Sequence, residues 1–350
     1  MNTEEQIPFS QTYQSNRIRL IEEIPLEVPL CISIEPTNIC NFKCQMCFQS
    51  TEEYKKQGGP FSLMEMDLFD KVLADIEELV SCGKKIKLIK LYSTGEPLLH
   101  PGIGEMLKRI KNADVCMQTE ITSNASLLTE ELSKMLVDYG LDFFRASIYA
   151  MKEENHKFVT QSKMKPEQIR KNLEELRRYR DEQGKDKPYI CAKMFQDDNS
   201  DENEIFKELY KNISDEQFID VAFEIPKLEE NSLEKLYGGK ENGEIAQKNY
   251  LERAGYKNRK ACRYPFTHLT VRANGDVVVC CTDWSRDTKL GNVLEKSLKE
   301  IWNSRELYNF RVMQLTTKGV NHSLCATCEI PLKDCPEDDI DNLPLERLRI

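Results

Sequence analysis

Short apolar segments and segments of helical period alternate along most of this chain, and that alternation constrains the fold more than any other feature. Apolar runs suited to strands lie at residues 30–35, 86–92, 115–121, 143–148, 190–195 and 218–223. Between them the apolar spacing changes to three and four. Residues 63–80 put Met64, Leu68, Val72, Leu73, Ile76 and Leu79 on one stripe. Further helices are predicted at residues 103–110, 130–139, 166–179 and 202–209, with Thr129 as an N-cap and Pro166 in a first turn. A strand followed by a helix about six times implies a parallel sheet with helices outside it. No glycine-rich dinucleotide turn follows the first strand, so a partial (β/α)6 TIM-like barrel fits better than a doubly wound sheet.

Residues 1–28 read as an N-terminal extension and residues 29–226 as the barrel. Residues 227–260 are polar, with Gly238, Gly239 and Gly243, and read as a linker or lid. Residues 261–350 form a second, cysteine-rich unit. Strands are expected there at 267–272 and 276–281, joined through Asn274 and Gly275, a strong hairpin signal. Residues 294–302 have helical character, and the remaining C-terminal cysteines are expected in loops.

Charge narrows the partners. The formal net charge is −10, and binding to phosphate backbones needs a basic face, so no nucleic acid is expected as the main partner. No window reaches the roughly 18 apolar residues of a membrane span, so no membrane association is expected. The first 28 residues carry scattered acids and bases instead of an apolar leader, which predicts a cytoplasmic chain. Thirteen cysteines are many for a reduced compartment, and clustered cysteines in such a setting point to metal. Cys31, Cys82, Cys116 and Cys191 stand alone in or beside apolar segments and are expected in the core.

The first cluster is Cys40, Cys44 and Cys47, a CX3CX2C loop directly after a strand. Three thiolates this close can wrap one face of a cubane and leave its fourth iron open to a chelating ligand. Zinc normally takes four ligands, and no histidine or fourth cysteine is near. Asn41, Lys43 and Gln45 make the loop too polar for three core cysteines.

This loop, in this position, resembles the radical SAM superfamily. Ser93-Thr94-Gly95-Glu96-Pro97 follows the second strand and is similar to the family's GGEP segment. The resemblance implies a 4Fe–4S cluster on Cys40, Cys44 and Cys47 that binds S-adenosyl-L-methionine (SAM). It assigns Gly95, Glu96 and Pro97 to the methionyl amino group, and Ser123, Asn124 and Ser147 to the ribose and carboxylate. Glu96 suits an ammonium, and Gly95 permits close approach of the ligand. Met46 stands where the family usually has an aromatic residue, and Phe48 follows; either can pack on adenine.

The second cluster comprises Cys262, Cys280, Cys281, Cys325, Cys328 and Cys335. A hairpin with a cysteine at each end and a distant CX2C pair can supply four thiolates to one cluster. A structural zinc ribbon is the competing reading. Cys281 falls on the opposite strand face from Cys280 and is expected to pack. The pattern resembles the SPASM and twitch auxiliary-cluster subfamilies, and implies one auxiliary 4Fe–4S cluster on Cys262, Cys280, Cys325 and Cys328, with Cys335 able to replace one of them.

By the same resemblance, SAM is reductively cleaved to a 5′-deoxyadenosyl radical that takes hydrogen from a substrate. A fully ligated auxiliary cluster can accept an electron, which suits oxidation of a small sugar- or cyclitol-like alcohol. The alternatives are a peptide- or protein-modifying maturase and a non-enzymatic, metal-stabilised binding module. The expected partners are a small-molecule or peptide substrate and a flavodoxin or ferredoxin-type electron donor. Oxidation needs a base. Lys193 and Glu224 are candidates near the barrel interior, and Arg145 is a candidate substrate anchor because a guanidinium stays protonated.

Overall fold

The computed structural model describes residues 18–197, 201–228, 231–254, 260–333 and 335–349. Most of the extension expected at residues 1–28 therefore lies outside the described residues. The six predicted strands are present: β1 (Cys31–Ile34), β2 (Ile86–Lys90), β3 (Cys116–Ser123), β4 (Phe143–Ile148), β5 (Tyr189–Phe195) and β6 (Glu216–Asp220). They pair in parallel, each with its successor. Alternation along each strand explains which side is wet. In β4, Phe144 and Ala146 pack under the helices, while Arg145 and Ser147 point to the other side. Helix Met66–Val80 covers the sheet with Phe69, Val72, Leu73, Ile76 and Leu79; the last four belong to the predicted stripe, while Phe69 takes the buried place expected of Leu68, which is only half-buried. Thr129 caps helix Glu130–Asp138 through its hydroxyl, which accepts from Leu132 N at 3.2 Å.

The C-terminal unit is continuous with the barrel. Its first strand, β7 (His268–Val271), pairs in parallel with β1, so it extends the same sheet. Strands β8 (Asp276–Val278) and β9 (Lys289–Asn292) follow antiparallel, giving nine strands in the order β6-β5-β4-β3-β2-β1-β7-β8-β9. Gly275 turns the hairpin at φ +86°, a conformation that favours glycine.

Several expectations need correction. Helix 63–80 starts only at Met66, because Leu63 forms a β-bridge with Thr37. Residues 227–260 contain two helices, Ser232–Tyr237 and Lys240–Ala254, the first capped by the Asn231 side chain. The sequence reading also missed β9 and helices Glu153–Thr160 and Arg305–Thr317. Of the isolated cysteines, Cys31 and Cys191 are buried and Cys116 is partly so. Cys82 is exposed, in the turn that ends helix Met66–Val80. Among the described residues, no helix is long and apolar enough to cross a membrane.

Candidate functional site

The loop after β1 is held from outside. Lys43 N donates to Thr160 O at 3.1 Å and Gln45 N to Val159 O at 2.9 Å, so helix Glu153–Thr160 fixes the loop's outer edge. Phe42, between Cys40 and Cys44, is buried with its ring against Tyr149 and His156, at centroid distances of 6.1 and 6.0 Å. Phe42, Cys40, Cys44 and Cys47 all line one cavity of about 320 Å³ at the strand ends.

Burial pushes the Cys40 thiol up to about 12 and Cys47 up to about 11, and raises Cys44 well above 9. Thiols in such surroundings ionise only against a strong positive centre, and an iron–sulfur cluster is such a centre. Among the described residues, no three His, Cys, Asp or Glu side chains converge as a single metal ion requires. The thiols instead share the wall of a cavity. The donor set fits a cluster.

Glu96 is buried beside them. Its Oε1 accepts from Ser123 Oγ at 2.7 Å and Leu98 N at 3.0 Å, and its Oε2 from Asn124 N at 2.8 Å. Ser123 and Asn124 line the cavity, but the Ser123 hydroxyl and the Asn124 backbone are already engaged in positioning Glu96. The Asn124 side chain bonds Asn41 and Ser126, tying the end of β3 to the cysteine loop. Ser147 lines the same cavity from the end of β4.

Gly95 is needed for close approach. A Cβ there would lie 2.3 Å from Thr37 O and 2.6 Å from Ile39 O, both backbone atoms. Gly95→Ala is expected to cost about 1–3 kcal/mol by overpacking and to weaken SAM binding. Equilibrium denaturation of the variant, with SAM affinity measured beside it, checks this.

Burial raises the Glu96 carboxyl from 4.5 to about 7, and the three donors only partly offset it. Below that pH the group is neutral and offers no charge to an ammonium. SAM affinity is therefore expected to fall as pH drops through about 7, with a proton released on binding at or below that pH. Calorimetry in buffers of different ionisation enthalpy reads both effects. For the unliganded chain the sign is opposite. A raised carboxyl stabilises at low pH, and that contribution is lost as pH rises from 4.5 through about 7.

The adenine candidates separate. Met46 lines the cavity. Phe48 turns away into a 3-10 turn and stacks on Trp284, with centroids 6.2 Å apart and planes at 10°. Pro97 is buried at the start of the next turn, where it fixes the backbone after Glu96 without lining the cavity.

The proton-handling candidates also part ways. Lys193 lines the cavity and pairs with Asp220 at 2.8 Å. Arg145 lies deeper, 3.6 Å from Glu120, and does not line the cavity. Glu224 accepts from Ser232 N at 2.9 Å, Ser232 Oγ at 2.7 Å and Leu233 N at 3.4 Å, so it caps helix Ser232–Tyr237 rather than facing the cavity. The sequence reading missed Tyr92, which lines the cavity and donates to Glu120 Oε1 at 2.8 Å. The signal was there in the alternation. Tyr92 lies two residues beyond Lys90 and so on the same side of the chain, away from the buried Ile89 and Leu91. It also missed Leu233 and Leu236, which close the cavity's side.

The second cysteine group meets at the far end of the sheet. Cys262, Cys280, Cys325 and Cys328 line a small cavity walled by Pro265, Phe310, Leu324 and Ile330. Gln314, from helix Arg305–Thr317, bridges it by accepting from Cys262 N at 3.3 Å and donating to Cys325 Sγ at 3.5 Å. Four thiols around an apolar pocket fit a fully ligated cluster. Cys335 is placed outside this cavity, as the cap of the turn Pro336–Asp338.

Comparison with known proteins follows the same division. Residues 34–186 match the Radical SAM superfamily, and residues 262–329 match SPASM, an iron–sulfur cluster-binding domain. A "tungsten-containing aldehyde ferredoxin oxidoreductase cofactor-modifying protein" of Pyrococcus furiosus is 26% identical over 334 residues, covering 85% of this chain and 86% of that protein. The crystal structure of BtrN with AdoMet and 2-DOIA superposes with a TM-score of 0.53 at 16% identity, over 92% of this chain and 99% of that one. Streptococcus suis SuiB bound to the precursor peptide SuiA gives 0.58 at 17% identity, over 89% and 73%. The structural likenesses establish the fold.

Proposed function

We propose, for a chain that belongs to the radical SAM superfamily and carries a SPASM iron–sulfur region, that it is an oxidoreductase acting on a small sugar- or cyclitol-like alcohol. The observation that carries this reading is the single cavity shared by the three thiols, Glu96 and Lys193. A 4Fe–4S cluster held there by Cys40, Cys44 and Cys47 would supply the one-electron reduction that splits SAM into methionine and a 5′-deoxyadenosyl radical.

The chain's own residues do the rest. Cys40, Cys44 and Cys47 hold the cluster. Glu96 holds the SAM ammonium, with Gly95 letting its segment pack on the Thr37 and Ile39 backbone behind it, and Met46 packs against adenine. Ser147 faces the ribose and carboxylate, and Asn124 ties the wall beside it to the cysteine loop. Lys193, fixed by Asp220, donates to the substrate hydroxyl. Once a carbon-bound hydrogen has gone to the adenosyl carbon, the hydroxyl proton must also leave. Tyr92 Oη can take it while passing its own to Glu120 Oε1. Arg145 stands behind Glu120 as its counter-charge. The remaining electron needs an acceptor, and Cys262, Cys280, Cys325 and Cys328 are the residues to hold one auxiliary 4Fe–4S cluster.

In this reading residues 29–226 are the barrel, 227–260 a lid bearing Leu233 and Leu236, and 261–350 the auxiliary region.

A second reading has its own support. The match to the Pyrococcus furiosus protein runs over most of both chains, so this chain would then modify the cofactor of a metalloenzyme.

Isotope transfer tests the first reading. Alcohols deuterated at the hydroxyl-bearing carbon are incubated with reconstituted enzyme, SAM and reductant. Deuterium in 5′-deoxyadenosine together with a ketone product supports it. No transfer from any sugar or cyclitol, with SAM cleavage stimulated by a metalloenzyme's cofactor, moves the function to the second.

A further inference from the structure

Gln314 is a polar residue in an apolar place. It is 1% exposed and lines the second cysteine cavity beside Phe310, Leu324 and Ile330, where an aliphatic side chain would pack as well. A buried amide needs hydrogen-bond partners. Both side-chain hydrogen bonds of Gln314 run to candidate ligands. Its Oε1 accepts from Cys262 N at 3.3 Å, and its Nε2 donates to Cys325 Sγ at 3.5 Å. The first contact fixes the second. Cys262 N can only donate, so the amide oxygen must face it and the amide N–H must face the sulfur. Gly319 keeps the seat open, since a Cβ there would lie 2.7 Å from Cys325 Cβ and 2.9 Å from Gln314 Nε2.

A second polar side chain reaches another sulfur. Thr282 Oγ1 lies 3.0 Å from Cys280 Sγ and lines the same cavity. A thiolate can only accept, so with Cys280 ligating a cluster the hydroxyl donates. No Lys, Arg, His, Asp or Glu is among the cavity's described lining residues. Where no charge lines the site, hydrogen bonds to the sulfurs become a main means of shifting a bound cluster's potential. An added electron increases the negative charge on the sulfurs. Each donor therefore stabilises the reduced form more than the oxidised one.

We propose that Gln314 and Thr282 are positioning residues that raise the reduction potential of the auxiliary cluster, by donating to Cys325 and Cys280, and so make it a better electron acceptor. The deprotonated substrate radical loses one electron, the oxidised cluster gains it, and no atom moves between them. The inference rests on the assignment of one auxiliary 4Fe–4S cluster to Cys262, Cys280, Cys325 and Cys328.

The test uses the full-length chain carrying Cys40→Ala, Cys44→Ala and Cys47→Ala, so that after anaerobic reconstitution only the auxiliary cluster titrates. In this parent, Gln314→Met and Thr282→Val remove the donors at nearly constant volume, and Thr282→Ser restores the hydroxyl. Iron and sulfide are quantified, and the midpoint potential is read by redox titration followed by electron paramagnetic resonance. The Gln314→Met/Thr282→Val double variant is expected to weaken the reduction equilibrium about tenfold, a fall of about 59 mV for one electron. Each single variant should supply part of that fall, and Thr282→Ser should stay at the parent potential. Fully loaded Gln314→Met and Thr282→Val variants at the parent potential would overturn the proposal. If Gln314→Met fails to hold its cluster, Thr282→Val decides alone: a loaded variant that is unshifted, or shifted no more than Thr282→Ser, overturns it. A parent that takes up zinc and no iron–sulfur cluster overturns the cluster assignment and this inference with it. The expected shifts without alcohol oxidation by the wild type would support this proposal and defeat the alcohol-oxidising reading.

Discussion

Replacing Arg272 with alanine is expected to destabilise the folded chain by about 3–5 kcal/mol. Arg272 directly follows β7, and its guanidinium lies 2.8 Å from Glu35, which directly follows β1, with side chains only 2% and 1% exposed. Arg272 also donates to Ser93 Oγ at 2.7 Å and to Asp283 O. Glu35 accepts from Thr94 N at 3.2 Å, from the Thr94 hydroxyl and from Ala273 N at 3.1 Å. The pair thus ties the barrel, the segment leading to Glu96 and the auxiliary region at one buried point. Removing one partner strands the other charge without solvent, which costs far more than the pair contributes when intact. Urea denaturation of Arg272→Ala and of the double variant Glu35→Gln/Arg272→Met separates these terms. The double variant should recover much of the loss. A single variant within 1 kcal/mol of wild type would contradict the account.

Glu96→Ala is expected to raise the dissociation constant for SAM about a hundredfold, since a buried charge pair costs roughly 2–5 kcal/mol to break and each 1.4 kcal/mol is tenfold. The carboxylate is aligned before ligand arrives, by Ser123, Leu98 and Asn124. Its charge has no cation within the cradle to satisfy it, which is why burial dominates its titration. Glu96→Gln keeps the shape and removes the charge, so it should lose most of the same affinity. Anaerobic equilibrium dialysis reads both. An Ala variant that binds SAM as tightly as wild type would move the ammonium site elsewhere.

Much of this was legible in the sequence because it depends on local chemistry. The CX3CX2C spacing, the turn after β2 and the polar strand ends of β3 and β4 are short-range patterns, and the parallel order of the strands makes them converge. What failed depended on partners distant in sequence. Phe48 looked equal to Met46 until Trp284, more than two hundred residues later, claimed its ring. Glu224 looked like an interior base because the helix start that consumes it lies eight residues further on, at Ser232, where Asn231 is a local N-cap signal that the sequence reading passed over. Ser123 and Asn124 are in place, but the Ser123 hydroxyl serves Glu96 first, a contact across strands that spacing does not reveal. The Glu35–Arg272 pair joins positions 237 residues apart and left no sequence signal. Strand β9 is four residues long and contains Gly291, too short and too glycine-weakened to register as a strand.

The central claim is that Cys40, Cys44 and Cys47 hold a cluster that cleaves SAM. The most direct measurement is 5′-deoxyadenosine, assayed by mass spectrometry after anaerobic reconstitution with iron and sulfide and addition of SAM and dithionite. Cys40→Ala, reconstituted in parallel, is the control. The account predicts 5′-deoxyadenosine from the wild type and none from the variant. Equal amounts from both, or none from a wild type with its full complement of iron, would contradict it.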